Sequence, residues 1–290
     1  MLHGLAWAAT AAVSSMPDDI ALASTWHPRG ETQRLAKAWK RISETYRAVS
    51  VVVPPDAPSA QLADEVGAAR EQFFPAPIWS RGRYEALRLA VDSGASAIEY
   101  VDMDHLLRWI ETRPDEWCKV IGTAAHTPFL VIGRSPPAYS TYPLAIRETE
   151  RPINRLFSRI FGQEMDLCAA ARGMSRDVAC MLQRESNTVE AFGVDTEWPA
   201  IAFRRGVGLT YVEADGLDWE SADQYQSTAA DAVQQSQLAA LYDRDPENWT
   251  FRVRAAEGMI MSGLAALGKC RCDSAGDRRP ESPGDTVPNS

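Results

Sequence analysis

Asp102 and Asp104 stand one residue apart at the end of a short apolar run. On an extended backbone alternate side chains point the same way, so both carboxylates can reach one ion. Hard oxygen ligands that leave room for water and phosphate oxygens suit Mg2+ or Mn2+. An ion held in this way can neutralise a diphosphate. A plainer reading stands beside it, in which Asp104 caps a helix and Asp102 lies on a solvated edge. The run Ala97, Ile98, Tyr100, Val101 gives the ligand reading its weight, because β-branched and aromatic residues favour a buried strand. From His105 the spacing turns helical, with Leu106, Leu107, Ile110 and Trp117 able to share a face. A strand thus delivers two acids to its C-terminal edge, where open α/β sheets bind their ligands.

Other residues can serve the same edge. Thr25, His27 and Arg29 belong to a Pro/Gly turn after an earlier strand, placed to meet a nucleotide or simply exposed. Asp56 follows Pro54-Pro55, where a base or ribose fits, although a turn explains it well. Arg81 and Arg83 flank Gly82 just before a helix, and helix N-termini and arginines both favour phosphate. Asp195 and Glu197 open a later helix beside Trp198, a pattern that suits an acceptor site with a general base. The helix dipole also attracts acids to that position. Asp218-Trp219-Glu220 reads as a lid or metal-proximal loop, or as a turn anchored by one aromatic. Nucleotide-binding glycine loops and the Gly-x-Ser-x-Gly elbow are missing from the sequence. All four histidines lie in its first half.

The elements that must position these residues alternate. Strands are expected at 20–26, 49–53, 78–79 and 97–101, with helices at 31–46, 61–73 and 82–93 between them. Such alternation predicts an α/β fold with a mainly parallel sheet and right-handed crossovers. Strands at 129–132 and 209–212 and helices at 146–161, 175–184, 195–205, 229–242 and 248–267 complete the second half. Pro152 is placed in a first helical turn, where proline is tolerated.

Composition bounds the function. With 45% hydrophobic and 24% charged residues the 290-residue chain is an ordinary globular protein. A net charge of -9 argues against nucleic-acid or anionic-membrane partners, while leaving room for a local basic pocket. Cys118, Cys168 and Cys180 fall in periodic apolar segments and read as reduced core residues, and Cys270-Arg271-Cys272 makes a poor zinc site. No run approaches the length of a transmembrane helix. Residues 1–15 make a weak signal peptide for want of an early Lys or Arg, so a cytoplasmic protein beginning at Met1 or Met16 is expected. The expected organisation is an extension at 1–15, a main domain at 16–225, C-terminal helices at 226–268 packed on it, and a disordered tail at 269–290.

The segments IALASTWHPRGE, WSRGRYEALRLAVDSGA, EYVDMDHLLRWIE, VIGRS, DTEWP and GLDWES, spanning about residues 20–223, resemble the GT-A glycosyltransferases of the bacterial family-two-like type. The resemblance implies one Rossmann-like GT-A domain. It would use Mn2+ or Mg2+ to move a sugar from a nucleotide-diphosphate sugar to a hydroxyl acceptor. Carried onto matching positions, Asp102 and Asp104 would hold metal and diphosphate. Asp195 or Glu197 would act as base, and Arg134, Trp198 and Trp219 would lie on the acceptor side. The chain lacks the Gln-x-x-Arg-Trp of processive members, so a polymerising synthase is not expected, and it lacks a late metal-binding histidine. Two rivals remain: a haloacid-dehalogenase-type phosphatase with Asp102 as nucleophile, and a non-catalytic nucleotide-sugar-binding module on the same scaffold.

Overall fold

The computed structural model describes residues 19–187 and 191–268. The expectations for the N-terminal extension and for the tail with Cys270 and Cys272 lie outside the described residues. The first half alternates as read: β1 (Ile20–Thr25), α1 (Thr32–Thr45), β2 (Ala48–Val53), α2 (Ser59–Val66), β3 (Phe73–Pro75), α3 (Gly82–Asp92) and β4 (Ala97–Val101). In α1 the residues Leu35, Ala38, Trp39 and Ile42 are buried, which is the spacing of one helical face. Two expectations here need correction. The third strand is Phe73–Pro75 rather than residues 78–79, and Trp79–Arg81 form a 3-10 turn. The helix expected through residue 73 stops at Val66, because Gly67 takes a left-handed φ of 79° and turns the chain.

After β4 come α4 (Met103–Thr112) and α5 (Pro114–Ala124), separate helices because Pro114 can start a helix but not continue one. Then follow β5 (Phe129–Arg134), α6 (Pro136–Ser140), α7 (Leu144–Phe161), β6 (Ala171–Ser175), α8 (Arg176–Glu185), α9 (Val194–Arg204), β7 (Thr210–Ala214), α10 (Ala232–Asp243) and α11 (Pro246–Gly268). Pro152 lies in the third turn of α7, not the first, on an exposed face where water can serve the freed carbonyl. Strand β6 escaped the sequence reading because ARGMS has neither alternation nor β-branched residues.

Among the described residues seven strands form one sheet in the order β3-β2-β1-β4-β6-β5-β7. β3, β2, β1 and β4 run parallel, β6 pairs antiparallel with both β4 and β5, and β7 is parallel to β5. Strand residues alternate between two cores. Ile20, Leu22 and Val101 face the layer built with Trp39, Trp109 and Trp117, whereas Ala21, Ala23 and Tyr100 face the layer of Leu87, Phe157 and Trp198. Gly173 of β6 allows α5 its approach, since a Cβ there would lie 2.5 Å from the Ala124 Cβ. Helix α11 packs along α9 and α7. None of the described helices is long and apolar enough to cross a membrane.

Candidate active site

β1 and β4 are parallel neighbours, so their C-terminal ends emerge together. Ser24 donates to the Val101 carbonyl (2.7 Å), and the Thr25 hydroxyl donates to Asp102 Oδ1 (2.6 Å). The Tyr100 hydroxyl donates to the same oxygen. Asp102 is the residue before α4, with ψ of 138°, and Asp104 lies in the first helical turn. The extended spacing expected for the two acids therefore does not hold, yet both line one cavity. Asp102 does not cap α4 through its side chain; its Oδ2 accepts from Arg83 Nη2 at 2.5 Å.

Arg83 comes from the start of α3 and spans two carboxylates. Its Nη1 donates to Asp195 Oδ2 at 2.9 Å, and its guanidinium lies 5.2 Å from the Phe192 ring centroid. Asp195 sits in the first turn of α9 and is buried. Burial pushes its pKa up, against the pull of Arg83 and Arg172. The Arg172 guanidinium reaches the Asp195 carbonyl from β6, at 3.0 Å.

A second group of charges lies deeper. Burial and the nearby Glu220 carboxylate raise the Asp104 pKa to about 7. Asp104 Oδ1 accepts the His105 backbone N–H at 3.0 Å. Burial opposes a charge on His105, but Glu220, 2.8 Å from its Nε2, holds its pKa up at about 9. The Tyr142 hydroxyl lies 3.0 Å from the same nitrogen and donates to the Leu217 carbonyl, also at 3.0 Å. Arg134, at the end of β5, is locked by Asp166 (2.7 Å) and Glu150 (2.6 Å) between the rings of Tyr139 and Tyr142. Despite burial, that guanidinium holds the Asp166 pKa down at about 2.

These groups surround a cavity of about 250 Å³. It gathers Thr25, His27, Arg29, Arg83, Asp102, Asp104, Arg134 and Asp195 from the residues picked out in the sequence. Five others lie elsewhere. Asp56 is exposed beyond β2, and Arg81 stacks over the Tyr84 ring at 4.8 Å. Glu197 is buried away from the cavity, accepting from the Ser186 hydroxyl and the Asn187 N–H. Trp198 packs edge-on against Tyr100 in the core, 5.5 Å between centroids. Trp219 is buried against Tyr242 and borders only an adjoining cavity of about 510 Å³. Sequence reasoning missed Tyr142, Glu150 and the α11 pair Phe251 and Arg252, and named Glu220 only as part of a loop; all five line the first cavity. Only Glu220 carried a signal, in the loop where Trp219 was preferred.

Among the described residues no three His, Cys, Asp or Glu side chains are grouped to hold a metal ion. Mg2+ and Mn2+ are commonly held by one or two carboxylates together with substrate phosphates. Asp104 fits that demand, since its carboxylate lines the cavity and accepts only the His105 backbone N–H, on Oδ1, among the described residues. Asp102 fits less well, because Thr25, Tyr100 and Arg83 already engage both its oxygens.

No protein-family model and no curated protein matches the chain. Solved structures do. Glucosyl-3-phosphoglycerate synthase of M. tuberculosis superposes with a TM-score of 0.54 at 11% identity, over 86% of this chain and 81% of that one. Mannosyl-3-phosphoglycerate synthase of Rubrobacter xylanophilus gives 0.52 at 14% identity, over 91% of this chain and 78% of the other. This is the GT-A fold. A complex of the M. tuberculosis GT-A protein with Mn2+, UDP-glucose and phosphoglyceric acid matches at 0.50 and 10% identity, over 86% and 80% of the two chains. At these identities the likeness concerns the fold.

Proposed function

We propose that the chain is a glycosyltransferase that moves a sugar from a nucleotide-diphosphate sugar to a hydroxyl acceptor. The observation that supports this best is the meeting of Thr25, Arg83, Asp102, Asp104 and Asp195 in one cavity, at the ligand edge of a GT-A sheet. Thr25 and His27 would face the nucleotide, with Arg29 where the first cavity meets the adjoining one. Arg83 would turn its guanidinium to the diphosphate, a geometry arginine serves well. Asp104, with donor phosphate oxygens and with Asp102 at its other side, would hold Mn2+ or Mg2+. Such an ion, when bound, offsets the charge that develops on a leaving diphosphate. Asp195 would take the proton from the acceptor hydroxyl if the reaction inverts, and its raised pKa suits a base. Glu197 has no place in this scheme. A phosphatase using Asp102 as nucleophile finds little support, since three donors engage that carboxylate.

The test is a thermal-shift screen of UDP, GDP and their sugars with Mn2+, followed by donor turnover. A matching nucleotide raises the melting temperature by mass action. Asp104→Asn lowers turnover by about a hundredfold or more, as loss of a charge-stabilising group does, and removes the Mn2+ dependence of nucleotide binding. Unchanged turnover of Asp104→Asn under saturating Mn2+ would falsify the metal role.

A further inference from the structure

The adjoining cavity shares Arg29, Ser221, Phe251 and Arg252 with the first, so the two are immediate neighbours. Its charge is unusual. Arg34, Arg83, Arg108 and Arg134 each sit on carboxylates at less than 3 Å. The guanidiniums of Arg29 and Arg252 have no ion-pair partner among the described residues, in a protein of net charge -9. Arg252 is nevertheless held in place, with its Nε 3.1 Å from the Tyr242 hydroxyl and its guanidinium 5.5 Å from the Phe251 ring centroid. Arg252, held in place with Glu150 as a nearby carboxylate beyond ion-pair distance, and Arg29 both line the two cavities, and together they form a site for an anion.

The aromatic lining gives the second half of the specification. Tyr225 is 77% exposed and Phe251 50% exposed. Tyr225 carries a φ of 60°, a left-handed conformation that is strained for a bulky residue. Its backbone N–H donates to the Arg29 carbonyl at 2.7 Å, and a Cβ on Gly30 would lie 2.8 Å from the Tyr225 Cα. The chain thus holds Tyr225 against Gly30, and Tyr225 and Arg29 both line the adjoining cavity. Gln226 and Asn248 add carboxamides to the same wall. Flat apolar faces with carboxamides beside them suit the two sides of a sugar ring.

We infer that the second cavity is an acceptor subsite for a sugar bearing a negative charge, with its anion between Arg29 and Arg252 and its ring against Tyr225 and Phe251. This rests on the glycosyltransferase reading for the word acceptor; the binding chemistry itself does not. A carboxylate and a phosphate are both accommodated by the same arginines.

Isothermal titration of the full chain with glucuronate, glucose 6-phosphate, glucose and 3-phosphoglycerate separates the components, each run with and without UDP and Mn2+. The carboxylate or the phosphate sugar binds about tenfold or more tightly than neutral glucose, the scale of one charge-assisted contact, and more tightly than the ring-less phosphoglycerate. Arg252→Gln removes the preference for charge. Tyr225→Gly weakens the sugar anions by about three- to tenfold, the scale of an aromatic contact, and leaves the melting temperature equal or higher because the strained φ is relieved. Phosphoglycerate binding as tightly as the sugar anions, glucose binding as tightly as its charged derivatives, or Tyr225→Gly binding unchanged overturns the inference. Sugar-anion binding without any nucleotide binding upholds this site and counts against the transferase reading alone.

Discussion

Arg83 reaches two carboxylates, Asp102 and Asp195, that are 93 residues apart in sequence, and so ties the C-terminal edge of the sheet, the proposed nucleotide side, to the helix that carries the proposed base. A lysine there keeps the charge but has no fork to span both acids. Arg83→Lys is expected to weaken nucleotide-sugar binding by about tenfold, the loss of one charge-assisted contact, and calorimetry measures it. Arg83→Ala leaves two acids facing each other and is expected to cost about 3–5 kcal/mol of stability in urea unfolding. The same geometry explains which sequence choices survived. Residues two apart on a helix point to different faces, so Asp195 enters the cavity while Glu197 is buried elsewhere. Arg83 enters while Arg81 does not, and Glu220 enters while its neighbour Trp219 turns into the core.

Strand β4 carries a polar residue where its pattern calls for an apolar one. Glu99 is fully buried, takes a hydrogen bond from the Tyr46 hydroxyl through Oε2, and leaves Oε1 without a partner. Burial raises its pKa to about 7. Since the unfolded chain releases this proton near the ordinary value of 4.5, the folded state binds more protons between about pH 4.5 and 7. Stability from this group is therefore present at low pH and lost as pH rises through that window, by roughly 3 kcal/mol in all. Glu99→Gln should remove that part of the loss, so its stability relative to the parent improves from pH 5 to pH 8 in urea titrations. An equal difference at both pH values would show that Glu99 is already ionised when buried. The strand itself was legible because its flanks are β-branched and aromatic. β6 was not, because Arg172 and Gly173 are chosen for contacts with α9 and α5 rather than for β propensity.

For the whole molecule, the C-terminal helix completes both the core and the site. α11 buries Met259 and Ala266, brings Gly263 against Phe157, and receives the Thr196 hydroxyl on the Met259 carbonyl. It also supplies Phe251 and Arg252 to the cavity. Removing residues 246–290 should lower the melting temperature by more than about 10 °C, at roughly 2–4 °C per kcal/mol, and abolish ligand binding; a truncated chain that melts with the parent would show α11 to be an appendage. Sequence alone determined the alternation of strands and helices in the first half, and it also marked the acids after β4 and the arginine-bearing start of α3. Those features are written in local spacing, which periodicity and turn chemistry can read. Only the tertiary structure decided that β6 enters between β4 and β5, that Arg83 occupies Asp102, and that Glu220 and Arg252 reach the cavity. Each of these depends on contacts between residues distant in the chain, and no local pattern records which distant side chain will fill a given space.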